Sequence, residues 1–104
     1  MGNRRKKRYE KILGTIKHNS GGDMAPVAKI SSVKQTCCAH GDMEPREFRN
    51  TLKAACGNGD AIRGETYVCV PNSDQWVREA IQYVVENTDN PKQFVANANG
   101  WLAQ

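Results

Sequence analysis

The stretch Cys69-Val70-Pro71-Asn72-Ser73-Asp74-Gln75-Trp76-Val77-Arg78-Glu79-Ala80-Ile81-Gln82-Tyr83-Val84-Val85 decides how this chain is read. Pro71 closes what precedes it, and Asn72 reads as a helix N-cap with Gln75 three residues on to complete a capping box. Trp76, Val77, Ala80, Ile81, Val84 and Val85 then recur as one broad apolar stripe, which predicts an amphipathic helix of about three turns. Upstream, Glu65 to Val70 reads as a short strand, because Thr66, Tyr67 and Val68 favour extended backbone. Downstream, Asn87 to Asn90 and Pro91 end the helix, and Phe94, Val95, Ala98, Trp101 and Leu102 form a second, shorter amphipathic stretch.

Further upstream the turn signals are Gly57-Asn58-Gly59-Asp60 and His40-Gly41-Asp42. Between them, Pro45 to Ala55 reads in two ways. Pro45 suits a first helical position, Phe48, Leu52 and Ala55 share one helical face, and Gly57 is placed as a stop. If that local pattern prevails, the domain is mostly helical. Residues 1–33 are basic and then rich in Gly, Ser and small residues, which reads as a flexible arm. Tyr9, Ile12, Leu13 and Ile16 fall at helical spacing, which allows a transient helix over Arg8 to Lys17. The folded domain is expected over residues 34–104, with a C-terminal extension from about residue 88.

A chain of 104 residues has room for one domain, and one of this size buries only about 60–65% of the surface its unfolded chain exposes. Four cysteines could staple so small a core, which favours an oxidising compartment. Charge is uneven: residues 1–34 hold nine Lys or Arg against Glu10 and Asp23, whereas residues 35–104 hold six against nine carboxylates. The run Arg4-Arg5-Lys6-Lys7-Arg8 suits polyanions such as sulfated polysaccharide, nucleic acid or acidic membrane. No stretch approaches the roughly 18 apolar residues of a membrane span, so no membrane insertion is expected. The N-terminus also lacks the apolar core of a signal peptide. Either a leader has been removed or replaced, or the protein is intracellular and its cysteines are free thiols or metal ligands.

Cys37 and Cys38 are neighbours, with Cα atoms about 3.8 Å apart, and an unstrained disulfide wants about 4.4 Å or more. Each should therefore bond elsewhere, which leaves two maps: Cys37 with Cys56 and Cys38 with Cys69, or the crossed pair. A Cys-Cys step lacks the spacing of paired zinc ligands, so no metal or other cofactor is expected. His18 and His40 stand isolated, and no nucleophile is matched to a base, which argues against an enzyme.

Cys37-Cys38, a single Cys56, and Cys69 followed seven residues later by Trp76-Val77 and an amphipathic helix together resemble the CC chemokine family over residues 35–87. Glu44-Pro45-Arg46-Glu47-Phe48 resembles the Pro-Lys-Phe element of some members, and Ala61-Ile62 the start of their second strand. The 17 residues between Cys38 and Cys56 and the 12 between Cys56 and Cys69 are fewer than the family's usual spacing, so this would be a diverged member.

The resemblance implies an α+β fold, with a three-stranded antiparallel sheet, a C-terminal helix and the pairing Cys37–Cys56 and Cys38–Cys69. It implies a secreted, extracellular ligand of a G-protein-coupled chemokine receptor that directs leukocyte migration and can form a homodimer. Ser32, Val33, Lys34, Gln35 and Thr36 would enter the receptor, and Ala39 to Phe48, notably Arg46 and Phe48, would form the docking loop. Glycosaminoglycan binding would fall to Arg4, Arg5, Lys6, Lys7, Arg8 and Arg63. A nucleic-acid role conflicts with the disulfide reading. The alternative is a small all-α disulfide protein: a periplasmic binding or immunity protein that inhibits a partner protein, loosely similar in its Cys69-Val-Pro, helix, Asn-Pro, helix order.

Overall fold

The computed structural model describes residues 2–39 and 42–104. Met1, His40 and Gly41 lie outside them, and with the last two most of the expected His40-Gly41-Asp42 turn. Helices dominate the described residues: α1 (Gly2–His18), α2 (Ile30–Cys38), α3 (Pro45–Gly57), α4 (Asp74–Asn87) and α5 (Lys92–Leu102). Three short strands, β1 (Ala28–Lys29), β2 (Ile62–Arg63) and β3 (Tyr67–Cys69), pair antiparallel in the order β1-β3-β2.

The sheet is buried on both sides, and strand alternation divides the core accordingly. Ala28 and Val68 face one cluster with Ile12, Ile16, Val33, Cys37, Phe48, Leu52 and Ala55, so α1, α2 and α3 pack together against that face. Ile62, Tyr67 and Cys69 face a second cluster with Val77, Ala80, Val84, Phe94 and Ala98 of α4 and α5. Tyr67 meets Tyr83 edge to face, with ring centroids 5.7 Å apart.

The β2–β3 hairpin is closed by the Gly64 amide, which donates to the Tyr67 carbonyl at 2.8 Å. Gly64 is required there by packing, since a Cβ would come within 2.7 Å of Phe94 Cβ. Gly21, at φ +91°, packs against α4: a Cβ there would meet the Trp76 ring at 2.8 Å.

This architecture corrects the expected disulfide-stapled chemokine fold, and its disulfide-stapled all-α alternative. All four cysteines are free thiols. Cys37 and Cys69 are buried in clusters on opposite faces of the sheet, while Cys38 and Cys56 sit half-buried at the edge of the first. The staple is unnecessary because residues 1–33, read as an arm, carry core: Ile12 and Ile16 of α1 have no exposed surface. The sheet exists, but its first strand is Ala28–Lys29, contributed from the presumed arm, and it lies between two helical layers rather than under one C-terminal helix.

Local readings fared better. Pro45 opens α3, Gly57 closes it, and Phe48, Leu52 and Ala55 form its buried face. The α4 stripe is buried at Val77, Ala80 and Val84, but Val85 is 53% exposed. Ser73, not Asn72, caps α4, its hydroxyl accepting from the Trp76 amide at 3.1 Å.

Candidate nucleic-acid interface

The second helix of the α2–α3 pair carries the most distinctive surface. It starts firmly: Pro45 takes the first turn, and the Glu44 amide donates to Glu47 Oε1 at 3.1 Å. At 100° per residue, the spacing of Arg46, Arg49 and Lys53 keeps them within about 60° of one another, turned away from Phe48, Leu52 and Ala55. All three are exposed, as is Asn50 beside them. No carboxylate lies on this ridge. The only acid of α3, Glu47, is on its flank and bonded to Arg8 Nη1 at 3.2 Å. The Glu44 amide, and then the positive charge of Arg8 and Arg4, holds the Glu47 carboxyl below its ordinary pKa.

One flank of the ridge is bounded by α1. Tyr9 donates its hydroxyl proton to Asp60 and accepts from Asn58 Nδ2 at 3.2 Å, which ties α1 to the turn after α3. Arg5 and Arg8 thereby line a cleft of about 430 Å³ with Glu47, Asn50 and Ala54, and Arg4 joins them at the outer end. The other flank is bounded by the hairpin, where Arg63 of β2 lines a cleft shared with Lys53. Cations therefore stand on the α3 ridge and along both sides of it.

A cleft on α4 differs in sign. A cleft of about 280 Å³ between the Gly21 loop and α4 is lined by Trp76 and Tyr83 with Glu79 and Glu86, which would repel a polyanion.

Burial holds three of the thiols in their protonated form. Burial pushes Cys69 up to about 12, with the neighbouring Cys56 adding to the effect. Burial also raises Cys37, partly opposed by the bond from its thiol to Thr15 Oγ1 at 3.6 Å, and raises Cys56 against the pull of Arg63. Among the described residues no group of three or more His, Cys, Asp or Glu is placed to hold a metal ion. No described helix is long and apolar enough to cross a membrane.

The residues expected to contact a receptor are scattered. Ser32, Val33, Lys34, Gln35 and Thr36 form part of α2, where Val33 is fully buried, and Phe48 is core at 2% exposure. Of that set, Arg46 alone falls on the ridge. The polysaccharide set divides into Arg4 to Arg8 on α1 and Arg63 on the hairpin, and the fold brings Arg4, Arg5 and Arg8 to one side of α3 and Arg63 to the other, while nothing places Lys6 or Lys7 beside it. Arg49, Asn50 and Lys53 were missed by sequence reasoning, although the helical spacing of Arg46, Arg49 and Lys53 opposite an apolar face was there to be found. No protein-family model, curated protein or solved structure matches the chain.

Proposed function

We propose that this protein binds double-stranded DNA, with α3 lying in the major groove. The observation that carries the reading is the acid-free ridge of Arg46, Arg49, Asn50 and Lys53, flanked on both sides by further cations. An α-helix with its side chains is about 10–12 Å across, and the B-DNA major groove is about 12 Å wide. A helix seated there has a phosphate backbone on each side, where Arg4 and Arg5 of α1 and Arg63 of the hairpin stand. The α2–α3 pair acts as a helix-turn-helix, with the hairpin beside it as a wing.

The side chains divide by chemistry. Arg46 and Arg49 can each present a bidentate fork to guanine, and Asn50 can pair with adenine. Lys53, Arg63, Arg4 and Arg5 serve as phosphate contacts, which position the helix without reading sequence. Arg8, already bonded to Glu47, sets the angle of α1 against α3. Duplex RNA fits less well, because its major groove is too narrow for a helix. With the thiols free, the conflict between a nucleic-acid role and a disulfide framework no longer arises.

Fluorescence anisotropy with a labelled mixed-sequence duplex of about 25 base pairs tests this directly. Four phosphate contacts predict that log K falls linearly with log salt at a slope of about −3.6. Binding that is absent at 50 mM salt overturns the reading. So does binding that heparin and duplex share with no preference for base sequence; the arginine-rich surface would then be a polysaccharide site.

A further inference from the structure

The cleft between the end of α3, β2 and α5 has features that groove binding does not use. It encloses about 550 Å³ and is lined by Lys53, Cys56, Ile62, Arg63, Asn97 and Trp101 among others, a size within the usual range for small-molecule sites. Its walls are fixed. Trp101 Nε1 donates to the Gly59 carbonyl at 3.0 Å, and Asn97 Nδ2 donates to the Arg63 carbonyl at 2.8 Å. Two bonds thus tie α5 to both ends of the chain segment that crosses the cleft floor. Arg63 Nε is held by the Gly64 carbonyl at 3.3 Å, which orients the guanidinium.

The charged side chains of this cleft are both cationic. Among its described lining residues, which extend to Gln104, there is no Asp or Glu, and neither Lys53 nor Arg63 belongs to the ion pairs found among the described residues, Arg8–Glu47 and Lys11–Asp42. Two cations beside the indole of Trp101 and the side chains of Ile62 and Cys56 make a site with a cationic rim and an apolar wall. An anion gains charge-assisted hydrogen bonds from both cations, and a flat apolar body gains contact with the indole.

We propose that this cleft binds a small organic anion with a flat apolar body, held by Lys53 and Arg63, and that the bound anion competes with DNA. Binding follows from the cleft alone. The competition rests on the DNA reading, because Lys53 and Arg63 are phosphate contacts there and cannot serve a phosphate and a ligand together.

The test titrates the full chain with 8-anilino-1-naphthalenesulfonate, followed by probe fluorescence and by quenching of tryptophan emission. One saturable site is expected. Lys53→Gln and Arg63→Gln should each weaken it roughly tenfold, the loss of one charge-assisted contact, while circular dichroism stays that of the parent. The 25-base-pair duplex should displace the probe. Probe binding that does not saturate, or that ignores both substitutions, overturns the cleft as a site. Duplex that binds without displacing the probe overturns the competition. Duplex that fails to bind at all, with probe binding still sensitive to both substitutions, counts against the DNA reading and leaves the cleft standing.

Discussion

Replacing Arg46, Arg49 and Lys53 together with alanine is expected to weaken duplex binding roughly 10³-fold at low salt. A bidentate arginine–guanine contact contributes about 1–3 kcal/mol, and a phosphate contact less. All three side chains are exposed and form none of the ion pairs found among the described residues, so their loss should leave the fold within about 0.5 kcal/mol per site. The single variants should separate the roles. Arg49→Ala should relax preference among base sequences, and Lys53→Ala should weaken all duplexes alike and flatten the salt slope by about one unit. Anisotropy against a panel of duplexes, with a urea melt on each variant, reads both effects. A triple variant that binds as tightly as the parent would remove α3 from the interface.

Phe48→Ala should cost about 3–5 kcal/mol of stability, measured by urea unfolding followed by circular dichroism. Phe48 is 2% exposed and packs with Ile12, Leu52 and Val68 where α1, α3 and the sheet meet. Against a total of about 5–15 kcal/mol for a domain of this kind, that loss leaves much of the population unfolded in mild denaturant. Phe48→Leu keeps most of the volume and should retain the fold, so the aromatic side chain can be tested without collapse. The same position discriminates between two accounts of the chain. A phenylalanine in a receptor-docking loop would lose under about 1 kcal/mol on truncation, because an exposed ring has little packing to give up.

What could be read from the sequence follows from how locally each element is specified. α4 and the body of α3 are encoded by their own residues, with Pro45 as a start, Gly57 as a stop and apolar positions at helical spacing, although the cap of α4 reads as Asn72 and is Ser73. β3 could be read from Thr66, Tyr67 and Val68. α1 could be read only in part, as a transient helix over Arg8 to Lys17 from the spacing of Tyr9, Ile12, Leu13 and Ile16, because Ile12 and Ile16 become core only when α2, α3 and Val68 surround them. β1 is two residues long, too short for any alternation to show, and exists because Ala28 and Lys29 meet Val68 and Tyr67.

The cysteines misled for a physical reason. A chain of 104 residues implies a small core that disulfides would help to stabilise. With α1 restored to the core, Cys37 and Cys69 are ordinary buried apolar residues, a role in which free cysteine is common. The spacing from Cys69 to Trp76 reflects the connection of a strand to a capped helix, and Trp76 is placed by its packing on Gly21. The candidate interface was half visible. The run Arg4 to Arg8 reads as polyanion-binding and the resemblance adds Arg63, but only the fold shows that Arg4, Arg5, Arg8 and Arg63 flank α3.

Amide chemical-shift mapping on titration with duplex DNA tests the central claim most directly, because it reports where the ligand lies rather than whether it binds. The account predicts shifts concentrated in residues 46–57 of α3, in the hairpin around Arg63, and in residues 4–8 of α1. The acidic surface of α4 around Glu79 and Glu86 should stay unperturbed. Shifts centred on α4, or spread over residues 4–8 with α3 silent, would contradict it.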